Sequence, residues 1–154
     1  MFSKEEAKQL RIDFWTAFGV YMRQHTPLAE GHKKWGNYNT GVKGIFFRLE
    51  AEPIFVRASI TLEQSDPGIR ALFYSQWEEL RNFLEMESNS KWDWNPEEMQ
   101  SDGRNIARIS RRQDGLSLYN RADWSAMFQF LENCIVPLDS VWADCCEVFK
   151  DLAN

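Results

Sequence analysis

Histidine and cysteine are scarce in this chain, and their scarcity removes whole classes of chemistry. The two histidines, His25 and His32, share one polar stretch with no cysteine near them, and Cys134, Cys145 and Cys146 contain no Cys-x-x-Cys spacing. A bound zinc or iron needs several such ligands at workable intervals, so no metal is expected. An odd thiol count with two neighbours excludes a disulfide framework; the cysteines read as small buried hydrophobes and the histidines as solvent-facing loop residues. No run of about 18 apolar residues is present to cross a bilayer. The start, Met1-Phe2-Ser3-Lys4-Glu5-Glu6, lacks the basic and apolar regions of a secretion signal. A cytoplasmic protein without membrane contact is expected.

Catalytic signatures are missing too. There is no G-x-S-x-G elbow, no G-x-x-x-x-G-K-[ST] phosphate cradle and no G-x-G-x-x-G dinucleotide turn, so no cofactor is expected. A restriction-type nuclease needs an acid two residues before a lysine on a core strand. That spacing occurs in Glu6-Ala7-Lys8, on a predicted helix, while the predicted strands carry Arg48-Leu49-Glu50 and Val56-Arg57-Ala58. The neighbouring acids Glu78/Glu79 and Glu97/Glu98 read as solvated faces rather than acid–base pairs. A formal charge of −5 opposes nonspecific binding to a phosphate backbone.

Large aromatics are what the chain has in quantity: seven Trp and eleven Phe among 154 residues, enough for a core without covalent staples and for apolar surface shared with a second copy. Ser3 and Glu6 form a capping box ahead of Ala7, Leu10, Phe14, Ala17, Phe18 and Tyr21, predicting a helix over 4–24. The segment 25–41, rich in Pro, Gly and Asn, reads as a long ordered loop. Alternation of Ile54, Val56, Ala58, Ile60 and Leu62 with Phe55, Arg57, Ser59, Thr61 and Glu63 predicts a hairpin of strands over 43–50 and 53–63. Asp66 caps and Pro67 opens a helix to about Glu87, with Ile69, Leu72, Phe73, Trp77, Leu80 and Leu84 as its apolar stripe. A second strand pair is expected over 91–95 and 105–113. A helix then begins after Asn120, and Pro137 starts a final one. The fold class is therefore α+β: one domain over 1–154, a single antiparallel sheet of about four strands with helices packed on it, in the order α-ββ-α-ββ-α-α. A shift of 47 positions carries Arg57 to Arg104, Trp77 to Trp124 and Leu84 to Leu131, which suggests a doubled ββα unit.

Strand parity supplies the most interesting constellation. If the Ile54 to Leu62 row faces the helices, the opposite row carries Phe55, Arg57, Ser59 and Thr61. The hairpin partner adds Phe46, Arg48 and Glu50, and the later strand adds Ile106, Arg108, Ser110 and Arg112. Arg48, Arg57 and Arg108 are candidate binding residues for an anionic or planar ligand or a partner chain; ion pairing with Glu50 and Glu63 is the alternative. Trp35, Tyr38 and Asn39 form a second candidate ligand contact in the loop, against a loop pinned by buried aromatics.

The stretch Lys34-Trp35-Gly36-Asn37-Tyr38-Asn39-Thr40-Gly41-Val42-Lys43-Gly44-Ile45-Phe46-Phe47-Arg48-Leu49-Glu50 resembles the characteristic segment of a bacterial domain-of-unknown-function family numbered 4268. Phe14-Trp15, Ile69-Arg70-x-Leu72-Phe73, Arg108-Ile109, Asp123-Trp124 and Pro137-Leu138-Asp139 through Trp142 resemble its other landmarks. Ser110-Arg111-Arg112 departs from the aromatic and acidic residues that family members tend to carry there. The resemblance implies no activity for named residues. Members also occur behind a restriction-nuclease-like portion, which implies an auxiliary role near nucleic acid or host defence; that portion is not expected within 154 residues. The first functional reading is a noncatalytic binding or protein-interaction module, with a homodimer or a protein as partner. The alternatives are an accessory nucleic-acid-binding or defence-associated domain, and an enzyme whose site no motif marks.

Overall fold

The computed structural model describes residues 2–31 and 34–153, so His32 lies outside the described residues. Helix α1 spans Lys4–Tyr21 and is closed at its start by the expected capping box. The Ser3 hydroxyl accepts from the Glu6 N–H at 3.1 Å, and the Ser3 N–H donates to the Glu6 carboxylate at 3.0 Å. Its buried row is Leu10, Phe14 and Phe18, and a 3₁₀ turn at Met22–Gln24 ends it.

Strands β1 (Ile45–Ala51) and β2 (Phe55–Leu62) form the expected antiparallel hairpin, in register from Ile45 opposite Leu62 to Ala51 opposite Val56. Ile54 leaves the predicted core row: it lies in the turn before β2 and is 67% exposed. Asp66 accepts from the Gly68 and Ile69 N–H groups and starts helix α2, Pro67–Glu79. The predicted stripe is rotated here. Ile69 and Leu72 are exposed, and the buried face is Arg70, Phe73, Tyr74 and Trp77. The helix expected to reach Glu87 breaks at Leu80, whose ψ of 3° departs from the helical value, and resumes as α3, Arg81–Glu87, burying Leu84.

Strand β3 runs Asp93–Met99, further than the predicted Asn95, with a register shift between Asn95 and Glu98. Pro96 sits in that shift. It has no N–H for a ladder, which an outer strand tolerates and a central one does not. Strand β4, Asn105–Asp114, lies between β3 and β2, giving one antiparallel sheet of order β1-β2-β4-β3. Two adjacent hairpins suit a doubled plan. The 47-residue shift does not extend to the helices, however, because Trp77 is near the end of α2 while Trp124 opens the last helix.

That last helix corrects the sequence expectation. Helix α4 is continuous from Trp124 to Ala153, with Pro137 inside it rather than at a boundary. Proline removes the N–H that would bond the Asn133 carbonyl. Arg111 donates to that carbonyl instead, at 3.4 Å, and its guanidinium also lies over the Phe130 ring at 5.3 Å. Burial of Leu131, Cys134, Ile135, Leu138, Val141 and Trp142 keeps the helix continuous through the lost bond.

Helices α2 and α4 pack on the sheet face carrying Phe47, Val56, Ala58, Ile60, Leu62 and Ile109. Trp77 and Trp142 stack there at 6.0 Å, with Phe149 against both. All seven tryptophans are in this cluster or packed against it, so packing within one chain accounts for them. Cys134 is buried, which pushes its thiol up to about 12, and Cys145 and Cys146 are half-buried. No helix among the described residues is long and apolar enough to cross a membrane.

Substituting Pro137→Ala restores a donor to the Asn133 carbonyl. Urea denaturation should show a gain of about 1–2 kcal/mol, the helical penalty of proline less the entropy it removes from the unfolded chain. A loss would mean that proline shapes the helix rather than being tolerated by it.

Candidate binding groove on the open sheet face

Antiparallel pairing puts directly opposed residues on the same side of a sheet. On the side away from the helices this gives rows of Phe46, Thr61 and Arg108, then Arg48, Ser59 and Ser110, then Glu50, Arg57 and Arg112. The sequence-predicted arginines Arg48, Arg57 and Arg108 are thus brought together. Ser59, Thr61 and Ser110 lie buried as a floor of hydroxyls, and the longer side chains form a layer above them.

Each guanidinium in that layer has a carboxylate. Arg57 donates to both Glu50 oxygens, at 2.8 and 2.9 Å, and Arg48 to both Glu63 oxygens, at 2.7 and 3.1 Å. Arg108 is buried; it donates to Glu98 at 3.1 Å and to the Ser59 hydroxyl at 2.9 Å, with Glu50 at 3.6 Å. Arg112 pairs with Asp114 across 2.8 Å and lies over the Phe55 ring at 3.8 Å. Bidentate pairing fixes these planar groups more firmly than single contacts would. Burial raises the Glu63 pKa, but hydrogen bonds from Arg48 and Thr61 outweigh it and hold the carboxyl below its ordinary range. Glu98 behaves likewise, with Arg108 and Gln100 outweighing burial.

Over this layer runs a groove of about 510 Å³, lined by Arg48, Glu50, Arg57, Glu63, Arg104 and Arg108 among others. One rim comes from the loop, as Gly36 and Asn37, and the other from the β3–β4 turn, as Gln100 and Arg104.

A model of the family described as Domain of unknown function (DUF4268) matches residues 10–145. The chain belongs to this family. No curated protein and no solved structure matches it. The matched span of this DUF4268 chain contains every residue that lines the groove.

The loop candidates are placed differently from the arginines. Trp35 and Tyr38 are buried on the core side, and neither lines the groove. Trp35 Nε1–H donates to the His25 carbonyl at 3.3 Å. The Tyr38 hydroxyl donates to Asp139 at 2.5 Å, and Tyr38 bridges to Phe47 beside β1. Burial and then the Asp139 carboxylate push the Tyr38 phenol far above its ordinary value. Asn39 accepts from the Gly41 N–H at 2.9 Å, a local turn bond. His25, expected to face solvent, lies 2.5 Å from Glu132, which also accepts from Tyr21 at 2.7 Å.

Sequence reasoning missed Arg104, Gln100 and Glu98 at the groove, and Asp139 beneath the loop. The signal for Asp139 was an acid inside the apolar row Leu138, Val141 and Trp142 of α4. Among the described residues, no group of three or more His, Cys, Asp or Glu side chains is placed to hold a metal ion.

Arg108→Ala takes the arginine from Glu98, while Glu50 keeps Arg57, and should lower stability by about 2–3 kcal/mol at neutral pH, somewhat less than for a fully buried pair. Because Arg108 depresses the Glu98 pKa, that contribution is complete above about pH 4.5, the ordinary glutamate value, and is lost as pH falls through the lower folded value. Denaturation curves of wild type and variant should therefore converge in acid; a gap independent of pH would contradict the assigned pairing.

Proposed function

We propose that this protein is a noncatalytic binding module that takes a protein partner on the open face of its sheet. The observation that carries the reading is the rigid arginine–glutamate layer with no helix over it among the described residues. Arg48 and Arg57 each commit Nε and Nη2 to a glutamate, leaving the Nη1 group of a five-donor guanidinium for an outside acceptor. A carboxylate on a partner surface is the matching acceptor, and donors already held in place lose little side-chain entropy when it arrives.

Charge balance favours a protein over a nucleic acid. Phosphate backbones are held by cations that displace condensed counterions, whereas here Arg48, Arg57, Arg108 and Arg112 are neutralised by Glu63, Glu50, Glu98 and Asp114. Glutamates kept ionised by arginine suit binding better than proton transfer, which supports a noncatalytic role over an unmarked enzyme. A cytosolic setting belongs to the reading, since it keeps three free thiols reduced. A second copy of the chain has the same mixed-charge chemistry as any other protein partner.

Fluorescence anisotropy with a labelled glutamate-rich peptide and with labelled duplex DNA at low salt tests the proposal. The peptide should bind, the Arg48→Ala/Arg57→Ala double variant should bind it about 10-fold more weakly, and the duplex should stay free. Tight duplex binding with a steep salt dependence, or peptide binding untouched by the double variant, would overturn the reading.

A further inference from the structure

Next to the arginine groove lies a second depression of about 480 Å³ that shares Glu63 and Arg104 with it. Its chemistry is different. Phe46, Ile69 and Phe73 form an apolar wall, and both Phe46 and Ile69 are substantially exposed, an unusual state for such side chains beside a charged surface. Lys43 stands at the rim, exposed and outside every ion pair formed among the described residues.

Gln64 is the unexplained group. Its side-chain nitrogen and oxygen are both buried, and neither has a hydrogen-bond partner. Buried amides are almost always paired, so an amide left with donor and acceptor unused needs an account. The side chain lies against Gly44, whose φ of +88° and missing Cβ make room for it; a Cβ there would meet the Gln64 nitrogen at 2.7 Å. Two adjacent unused functions, one donor and one acceptor, match the C=O and N–H of a single peptide unit. Gln64 itself lines the depression.

We propose that this depression is the specificity pocket of the same interaction surface. It takes an apolar side chain of an extended segment on the partner, while Gln64 pairs with that segment's backbone and the preceding acidic residue reaches Lys43. The inference rests on the binding reading above and adds to it a sequence preference, acidic then apolar. The shared residues Glu63 and Arg104 make the two depressions neighbours, within reach of a single extended segment. The acids at the pocket are engaged, Glu63 with Arg48 and Thr61, and Asp66 with the start of α2, while Arg104 is itself paired with Asp102 at 2.8 Å, so the uncommitted charge at the pocket is that of Lys43.

The test uses the full chain, labelled with nitrogen-15, and two end-blocked peptides: two glutamates followed by leucine, and the same peptide with serine replacing leucine. The leucine peptide should bind about 10-fold more tightly and should move the Gln64 side-chain amide resonances. Gln64→Met keeps the volume and removes the amide. It should weaken the leucine peptide about 10-fold while leaving the thermal midpoint equal to or above wild type, because an unpaired buried amide has gone. Equal binding of the two peptides, with shifts confined to Arg48, Arg57 and Arg108, would overturn the pocket and leave the arginine groove standing. No shift anywhere on the face with either peptide would overturn both.

Discussion

A single buried carboxylate fixes the geometry on which the rest of the molecule depends. Asp139 is 1% exposed within the apolar row of α4, where a buried polar group is tolerated only with hydrogen-bond partners. The backbone N–H groups of Leu28 and Ala29 donate to it at 2.6 and 3.3 Å, and the Tyr38 hydroxyl at 2.5 Å. All three donors belong to the long loop between α1 and β1, and they reach it from two separated points. The Trp142 indole adds a third tie by donating to the Thr40 carbonyl at 3.1 Å. A segment with little regular structure is thus held against one helix by the hydrogen bonds of one buried side chain.

From that attachment the outer edge of the sheet follows. The loop bridges to Phe47, the Thr40 hydroxyl donates to the Ile45 carbonyl, and Arg11 donates to the Ala51 carbonyl, so β1 presents few unused backbone groups to another chain. The opposite edge, β3, is protected by Pro96 and the shifted register. With both edges blunted, strand addition is a poor way to bind this protein, which is why binding is proposed for the polar face. The same loop sets Gly36 and Asn37 along one rim of the groove, which ties the core-side clamp to the site on the other face.

Much of this was legible in the sequence because period and capping are local. Alternation over Phe55 to Leu62 assigned the two faces correctly, and the pairing observed puts Arg48, Arg57 and Arg108 on one side as parity requires. Local rules failed where distant residues decide. Pro137 is kept inside α4 by burial and by Arg111 from β4, and Leu80 interrupts a helix whose apolar stripe looked continuous. In the sequence Trp35 and Tyr38 are open between ligand contact and a loop pinned by buried aromatics, because aromatics in a polar loop suit either role; Asp139, a hundred residues away, draws Tyr38 inward. Pairing of the arginines with Glu50 and Glu63 was open as an alternative, and strand register is what settles it, a quantity that composition does not carry.

The clamp is tested most directly by hydrogen exchange on Asp139→Asn, which keeps the shape and replaces one acceptor oxygen with a donor amide. Exchange at the amides of Leu28, Ala29 and Asn37 should quicken by at least about 10-fold, with Ile60 and Ile109 in the central strands still protected. Unchanged protection at Leu28 and Ala29 would contradict the claim that this carboxylate holds the loop, and with it the origin assigned to the groove's rim.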